Sequence, residues 1–69
     1  MLKIINNVDL KELEKFGFIK YEDSYYIEND YSVVVLKVNI ETRKITNLGD
    51  RMGNEVFYDL IKADLVEKV

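Results

Sequence analysis

The run at residues 31–40, Tyr-Ser-Val-Val-Val-Leu-Lys-Val-Asn-Ile, constrains this chain more than any other stretch. It is the longest segment dense in β-branched residues and holds four consecutive apolar positions, Val33 to Leu36. β-Branched side chains are stiff at χ1 and fit a pleated, half-buried surface. The run therefore predicts the central strand of a small sheet. Strand side chains alternate between faces. Val34, Leu36, Val38 and Ile40 share the face assigned to the core. Tyr31, Val33, Val35, Lys37 and Asn39 share the other, which begins apolar and ends polar. With two helices on the core face, Tyr31, Val33 and Val35 form part of an exposed apolar patch of the kind that marks an interface. A helix or the N-terminal arm wrapping over them is the alternative.

The flanking segments complete an α+β reading of residues 1–69 as one small domain. Residues 7–17 form a first helix, capped by Asn7 or Asp9. Leu10, Leu13 and Phe16 are its apolar stripe, and Gly17 ends it in a left-handed conformation. Strands follow at 18–21, 25–28, 31–40 and 44–48. They are joined by Glu22-Asp23-Ser24, by a two-residue Asn29-Asp30 turn and by Glu41-Thr42-Arg43. Connections this short make consecutive strands antiparallel. The expected fold is a four-stranded antiparallel β-meander flanked by an N-terminal and a C-terminal helix. The second helix is expected at 55–64, capped by Asn54, with Val56, Phe57, Leu60 and Ile61 facing inward. The apolar ending at 65–69 is expected to pack back as a short strand beside Leu2–Ile5. The predicted core is Leu10, Leu13, Phe16, Phe18, Ile27, Val34, Leu36, Val38, Ile40, Ile45, Phe57, Leu60 and Ile61.

Composition narrows the chemistry. The 69 residues contain neither Cys nor His. That removes disulfides, thiolate zinc sites and the commonest general base. No apolar run approaches the ~18 residues of a membrane span, and MLKIINN is too short and polar for a signal peptide. A cytoplasmic protein of a bacterial host cell is the expectation. The net charge is −3, carried by the first 35 residues. A protein that grips a nucleic-acid backbone wants the opposite balance, so nucleic acid is disfavoured as a partner. Lys37, Arg43, Lys44 and Arg51 are the residues on which such binding would have to rest.

No stretch carries a catalytic or metal signature. Glu22 with Asp23, and Glu28 with Asp30, are paired carboxylates, but they lie in predicted turns, where solvated acids are ordinary. The alternating oxygen-ligand spacing of a calcium loop is absent. Residues 49–54, GDRMGN, precede a helix yet lack the glycine-rich cradle and Lys-Ser/Thr pair of a phosphate loop. No enzyme activity and no cofactor are expected. The distinctive stretch is 21–31, where Tyr21, Tyr25, Tyr26 and Tyr31 alternate with Glu22, Asp23, Glu28 and Asp30. Tyrosine gives large contact area at low entropy cost, and an acidic rim steers toward a basic partner. These eight residues, with Val33 and Val35, form the candidate partner-binding surface. Strand and turn propensity alone also produces such a pattern.

VDLKELEKFGF, the tyrosine-rich hairpin, ETRKI and FYDLIKADLVEKV together resemble small accessory proteins of phages and mobile elements in low-GC Gram-positive bacteria. In size and charge the chain is similar to the anti-CRISPR proteins. The resemblance implies a non-enzymatic inhibitor of a host protein, one that is basic or binds nucleic acid. A self-assembling homodimer that buries Tyr31, Val33 and Val35 is the first alternative. A small nucleic-acid-binding domain is the second.

Overall fold

A computed structural model describes residues 2–68. The chain runs β1 (Leu2–Ile4), a 3-10 helix η1 (Leu10–Phe16), β2 (Ile19–Tyr21), β3 (Ser24–Glu28), β4 (Val34–Asn39), β5 (Ile45–Asn47), α1 (Arg51–Lys62) and β6 (Val66–Lys68). Strands β2-β3-β4-β5 form the antiparallel meander in sequential order, flanked by the two helices. The segment after α1 does fold back as far as Lys68: β6 pairs antiparallel with β1, with Ile4 opposite Val66, and Val69 lies outside the described residues. A bridge from Lys3 to Lys44 ties this ribbon to the sheet beside β5.

One face of the meander carries the core. Ile4, Leu13, Leu36, Val38 and Leu60 are fully buried, with Phe18, Tyr25, Ile27 and Val35 around them. Contributions from β1, η1, the sheet and α1 meet in this one cluster, so both helices lie on the same side. Each fully buried aliphatic side chain contributes about 1.5–3 kcal/mol relative to exposure. The apolar stripe of the first helix explains why it is 3-10 rather than α-helical. Leu10, Leu13 and Phe16 recur every third residue, the period that eclipses side chains in a 3-10 helix. Asp9 is its cap, its carboxylate accepting from the Lys11 N–H at 3.0 Å. Gly17 ends it at φ 97°.

The central strand begins later than its composition predicts. Tyr31 and Ser32 belong to a loop, Ser32 at φ 61°, and the ladder starts at Val34. The connection is therefore residues 29–33 rather than a two-residue turn. Asn29 organises it. Its Oδ1 accepts from the N–H groups of Tyr31 (2.8 Å) and Val33 (3.1 Å), and its own N–H donates to the Val33 carbonyl (2.9 Å). The side chain closes the loop as an Asx turn. Register then shifts: Ile27 opposes Leu36, but Glu28 opposes Val34. Val35 is the extra residue of a β-bulge, which re-aims side chains. Val35 and Leu36 both point into the core, and Val34 turns half-exposed to the other face. This reverses the expected places of Val34 and Val35.

Helix α1 also begins earlier than expected, at Arg51. Asp50, not Asn54, is its cap, accepting from the Met52 N–H at 2.8 Å. Asn54 sits in the first turn, where its Oδ1 accepts from Asn47 Nδ2 at 2.8 Å. Starting the helix at Arg51 places Gly53 and Leu60 inward, with Met52, Val56 and Phe57 half-buried against the core. Ile61, expected inside, is exposed. The stripe is filled without it. The outer strands are shorter than expected, at Ile19–Tyr21 and Ile45–Asn47.

Candidate protein-binding face

The side of the meander opposite the helices has no cover among the described residues. Pairing fixes what it displays, because residues opposed across a ladder point to the same face. One row runs Ile19, Tyr26, Lys37, Thr46 across the four strands. The next runs Tyr21, Ser24, Asn39. The face is concave, enclosing an open cleft of about 540 Å³. Tyr21 and Tyr26 form one wall, Val34, Thr46 and Leu48 line the other side, and Glu22 and Asp23 stand at one end beside Ser24. Lys37 lies in the middle, exposed, with no ion-pair partner among the described residues.

The hairpin builds the aromatic wall. A two-residue turn at Glu22-Asp23 closes β2 onto β3, with Glu22 at φ 54°. Tyr21 and Tyr26 then meet edge to face, ring centroids 6.4 Å apart and planes at 89°, a favoured aromatic geometry. Ser24 is buried and donates through Oγ to Asp23 Oδ1 at 3.2 Å. The Asp23 carbonyl accepts from the Ile40 N–H at 2.8 Å. The turn is thus tied to the end of β4. Large apolar groups remain in solvent around the face: Ile19 is 54% exposed, Tyr21 64% and Leu48 58%.

The residues predicted as a contact surface divide. Tyr21, Glu22, Asp23 and Tyr26 are brought together at the cleft. Glu28 shares the face of Tyr26 by alternation and is half-buried. Asp30, Tyr31 and Val33 are exposed on the loop at 29–33, away from the turn. Tyr25 and Val35 are core residues and unavailable to a partner. Burial raises the Tyr25 phenol above its ordinary pKa, and the carboxylates of Glu14 and Asp9 add to the shift. Its place was legible in principle, since Tyr25 lies two residues from Ile27 and strand parity sends both inward. Val34, Lys37, Thr46 and Leu48 are the face residues that tyrosine-and-acid patterning missed. Alternation along the central strand already puts Lys37 on this face, and the signal for Thr46 was its pairing with Lys37, which depends on register.

Of the four basic residues on which nucleic-acid binding rests, Lys37 and Lys44 share the open face and the two arginines lie elsewhere. Arg43 turns inward, its Nη1 donating to the carbonyls of Ile5 (2.8 Å) and Val8 (2.7 Å). Arg51 lies at the start of α1 near Glu55, at 4.0 Å. Among the described residues no group of three or more acidic side chains is placed to hold a metal ion. No helix among them is long and apolar enough to cross a membrane. No family model matches the sequence, and neither a curated protein nor a solved structure matches it significantly.

Proposed function

We propose that this chain is a non-enzymatic protein-binding module whose contact surface is the uncovered face of the meander. The observation that carries the reading is the exposure of Ile19, Tyr21 and Leu48 around one concave sheet face that also presents Tyr26 and Val34. An antiparallel sheet often leaves one face to solvent, but that face then carries polar residues. Here Ile19, Tyr21, Tyr26, Val34 and Leu48 stand among Ser24, Asn39 and Thr46, with charge at Lys37, Lys44, Glu28 and the acids of the turn. Aromatic anchors in a concave patch with a polar rim are the make-up of a binding hot spot.

Glu22 and Asp23 suit a basic host protein, the partner of an inhibitor of the anti-CRISPR kind. Lys37 at the centre opposes a uniformly basic one. The experiment is affinity capture from a bacterial lysate, with self-association measured alongside, for the wild type and for Tyr21→Ser/Leu48→Ser. Both positions are exposed, so the variant keeps its fold. Binding to any protein, itself included, that the variant loses supports the reading. Capture that is unchanged in the variant, or no binding by the wild type, refutes it.

A further inference from the structure

Taking the uncovered sheet face as a protein-binding surface, we propose that its occupant is a second copy of this chain. The two sheets face each other across a two-fold axis that runs parallel to the strands, between β3 and β4. An isologous contact needs a surface complementary to itself. This face has that property in its cross-strand rows.

The first row places Tyr26 on β3 and Lys37 on β4, directly opposed. A two-fold axis along the strands reverses strand order and keeps each row at its level. Tyr26 then lies over the partner's Lys37, and Lys37 over the partner's Tyr26. Both lysines gain a cation–π contact. The second row extends from Tyr21 and Ser24 through Asn39 toward Lys44, where the Asn39 N–H donates to the Lys44 carbonyl at 3.0 Å. Alternation from Thr46 puts Lys44 on this face. The same operation brings Glu22 and Asp23 to the partner's Lys44, twice over. A two-fold axis across the strands through the first row does the opposite: it keeps strand order, stacks Lys37 on the partner's Lys37, and carries Glu22 and Asp23 away from the partner's Lys44. Charge thus selects the first arrangement.

Size sets the strength. Strands of three, five, six and three residues, about 4.8 Å apart, give a footprint of roughly 300 Å². Even with its relief, that is below the ~800 Å² per partner of a standard stable interface. The dimer is therefore weak, and concentration decides how much of it forms.

Sedimentation equilibrium from about 10 μM to about 1 mM tests this. The expected mass rises from the 8.2 kDa monomer toward twice that value. Lys44→Glu alone, and Glu22→Lys/Asp23→Lys alone, each weaken self-association by about tenfold or more, since each sets like charges together at both symmetric contacts. An equimolar mixture of the two variants recovers association, because every acid again meets a base. That recovery also shows that both variants are folded. A monomer throughout, a dimer indifferent to either variant, or a mixture that does not recover overturns the proposal. If the monomer still captures another protein through Tyr21 and Leu48, only the dimer falls; if it captures nothing, the binding face falls with it.

Discussion

A β-carbon built on Gly53 lies 2.7 Å from the carbonyl oxygen of Val35. Helix α1 therefore touches the bulge of β4 at the one helical position without a side chain. The contact fixes how far the helix descends onto the sheet, and hence how Val35 and Leu60 share the core. Glycine within a helix ordinarily costs about 0.5–1 kcal/mol relative to alanine. Here the sign reverses. Gly53→Ala is expected to destabilise the protein by about 1–3 kcal/mol, as an overpacked contact against backbone. A urea midpoint that is unchanged or higher contradicts the close approach.

Asn29 and Asp50 connect the other two ends of this contact. Asn29 Nδ2 donates to Asp50 Oδ2 at 3.2 Å, while Asp50 Oδ1 caps α1 and Asn29 Oδ1 closes the loop before β4. Asn29→Ala removes all the side-chain bonds of the loop and is expected to cost about 1–2 kcal/mol. Asn29→Asp keeps the acceptor but sets a second carboxylate against Asp50. It should be destabilised less at high salt than at low salt. Faster amide exchange at Tyr31 and Val33 in the alanine variant is the local sign. Unchanged exchange there argues against Asn29 as the organiser.

Arg43 holds the N-terminal arm. It sits at φ 65°, its carbonyl accepts from the Ile4 N–H at 3.0 Å, and its guanidinium donates to Ile5 and Val8. Hydrogen bonds from a charged donor are worth about 1.5–3 kcal/mol. Arg43→Met preserves the aliphatic stem and should lower stability by about that amount, with exchange rising first in the segment between β1 and η1. Both bonds leave one nitrogen, Nη1, so what Arg43→Lys lacks is the reach and fixed plane of the guanidinium rather than a second donor atom, and it should recover only part of the loss. Full recovery by lysine means that charge, and not the guanidinium geometry, is what matters.

These three contacts explain why the sequence reveals the architecture more readily than its details. Short polar connections and β-branched runs dictate an antiparallel meander. Leu13, Leu36 and Leu60 declare themselves as core by periodicity. The face assignment within Val33-Val34-Val35-Leu36 does not, because four adjacent apolar residues fit either parity. The bulge is decided by Asn29 from one side and Gly53 from the other, and both act through space. Gly53 itself reads as a loop residue until the strand it touches is known. Asp50 and Asn54 are equally good caps by residue type, and packing of Leu60 selects Asp50. The candidate face suffers most. Its aromatic wall was visible in the tyrosine pattern and Lys37 in the alternation of the central strand, whereas Thr46 and Leu48 join it only through pairing.

Tyr25 gives the protein a pH dependence whose direction is fixed by its burial. Its phenol lies among core side chains, with Glu14 and Asp9 nearby, and desolvation is the largest cause of its raised pKa. The folded protein therefore holds this proton more tightly than the unfolded chain does. Where the unfolded phenol has begun to ionise, near pH 10, the native state binds more protons, and stability falls as pH increases. The contribution is fully present below that point and is lost as pH rises through the higher folded value. Lys15, raised by its hydrogen bond and ion pair with Glu12 at 2.8 Å, acts in the same direction from the surface. Tyr25→Phe keeps the ring and removes the titrating group. Urea midpoints from about pH 8 to about pH 11 should fall more steeply in the wild type than in the variant. The variant should retain a shallower decline from Lys15, which Lys15→Gln then reduces. Equal slopes in wild type and Tyr25→Phe mean that the phenol ionises as freely folded as unfolded. Tyr25 then lies at the surface, and the strand parity that separates the core from the open face is wrong.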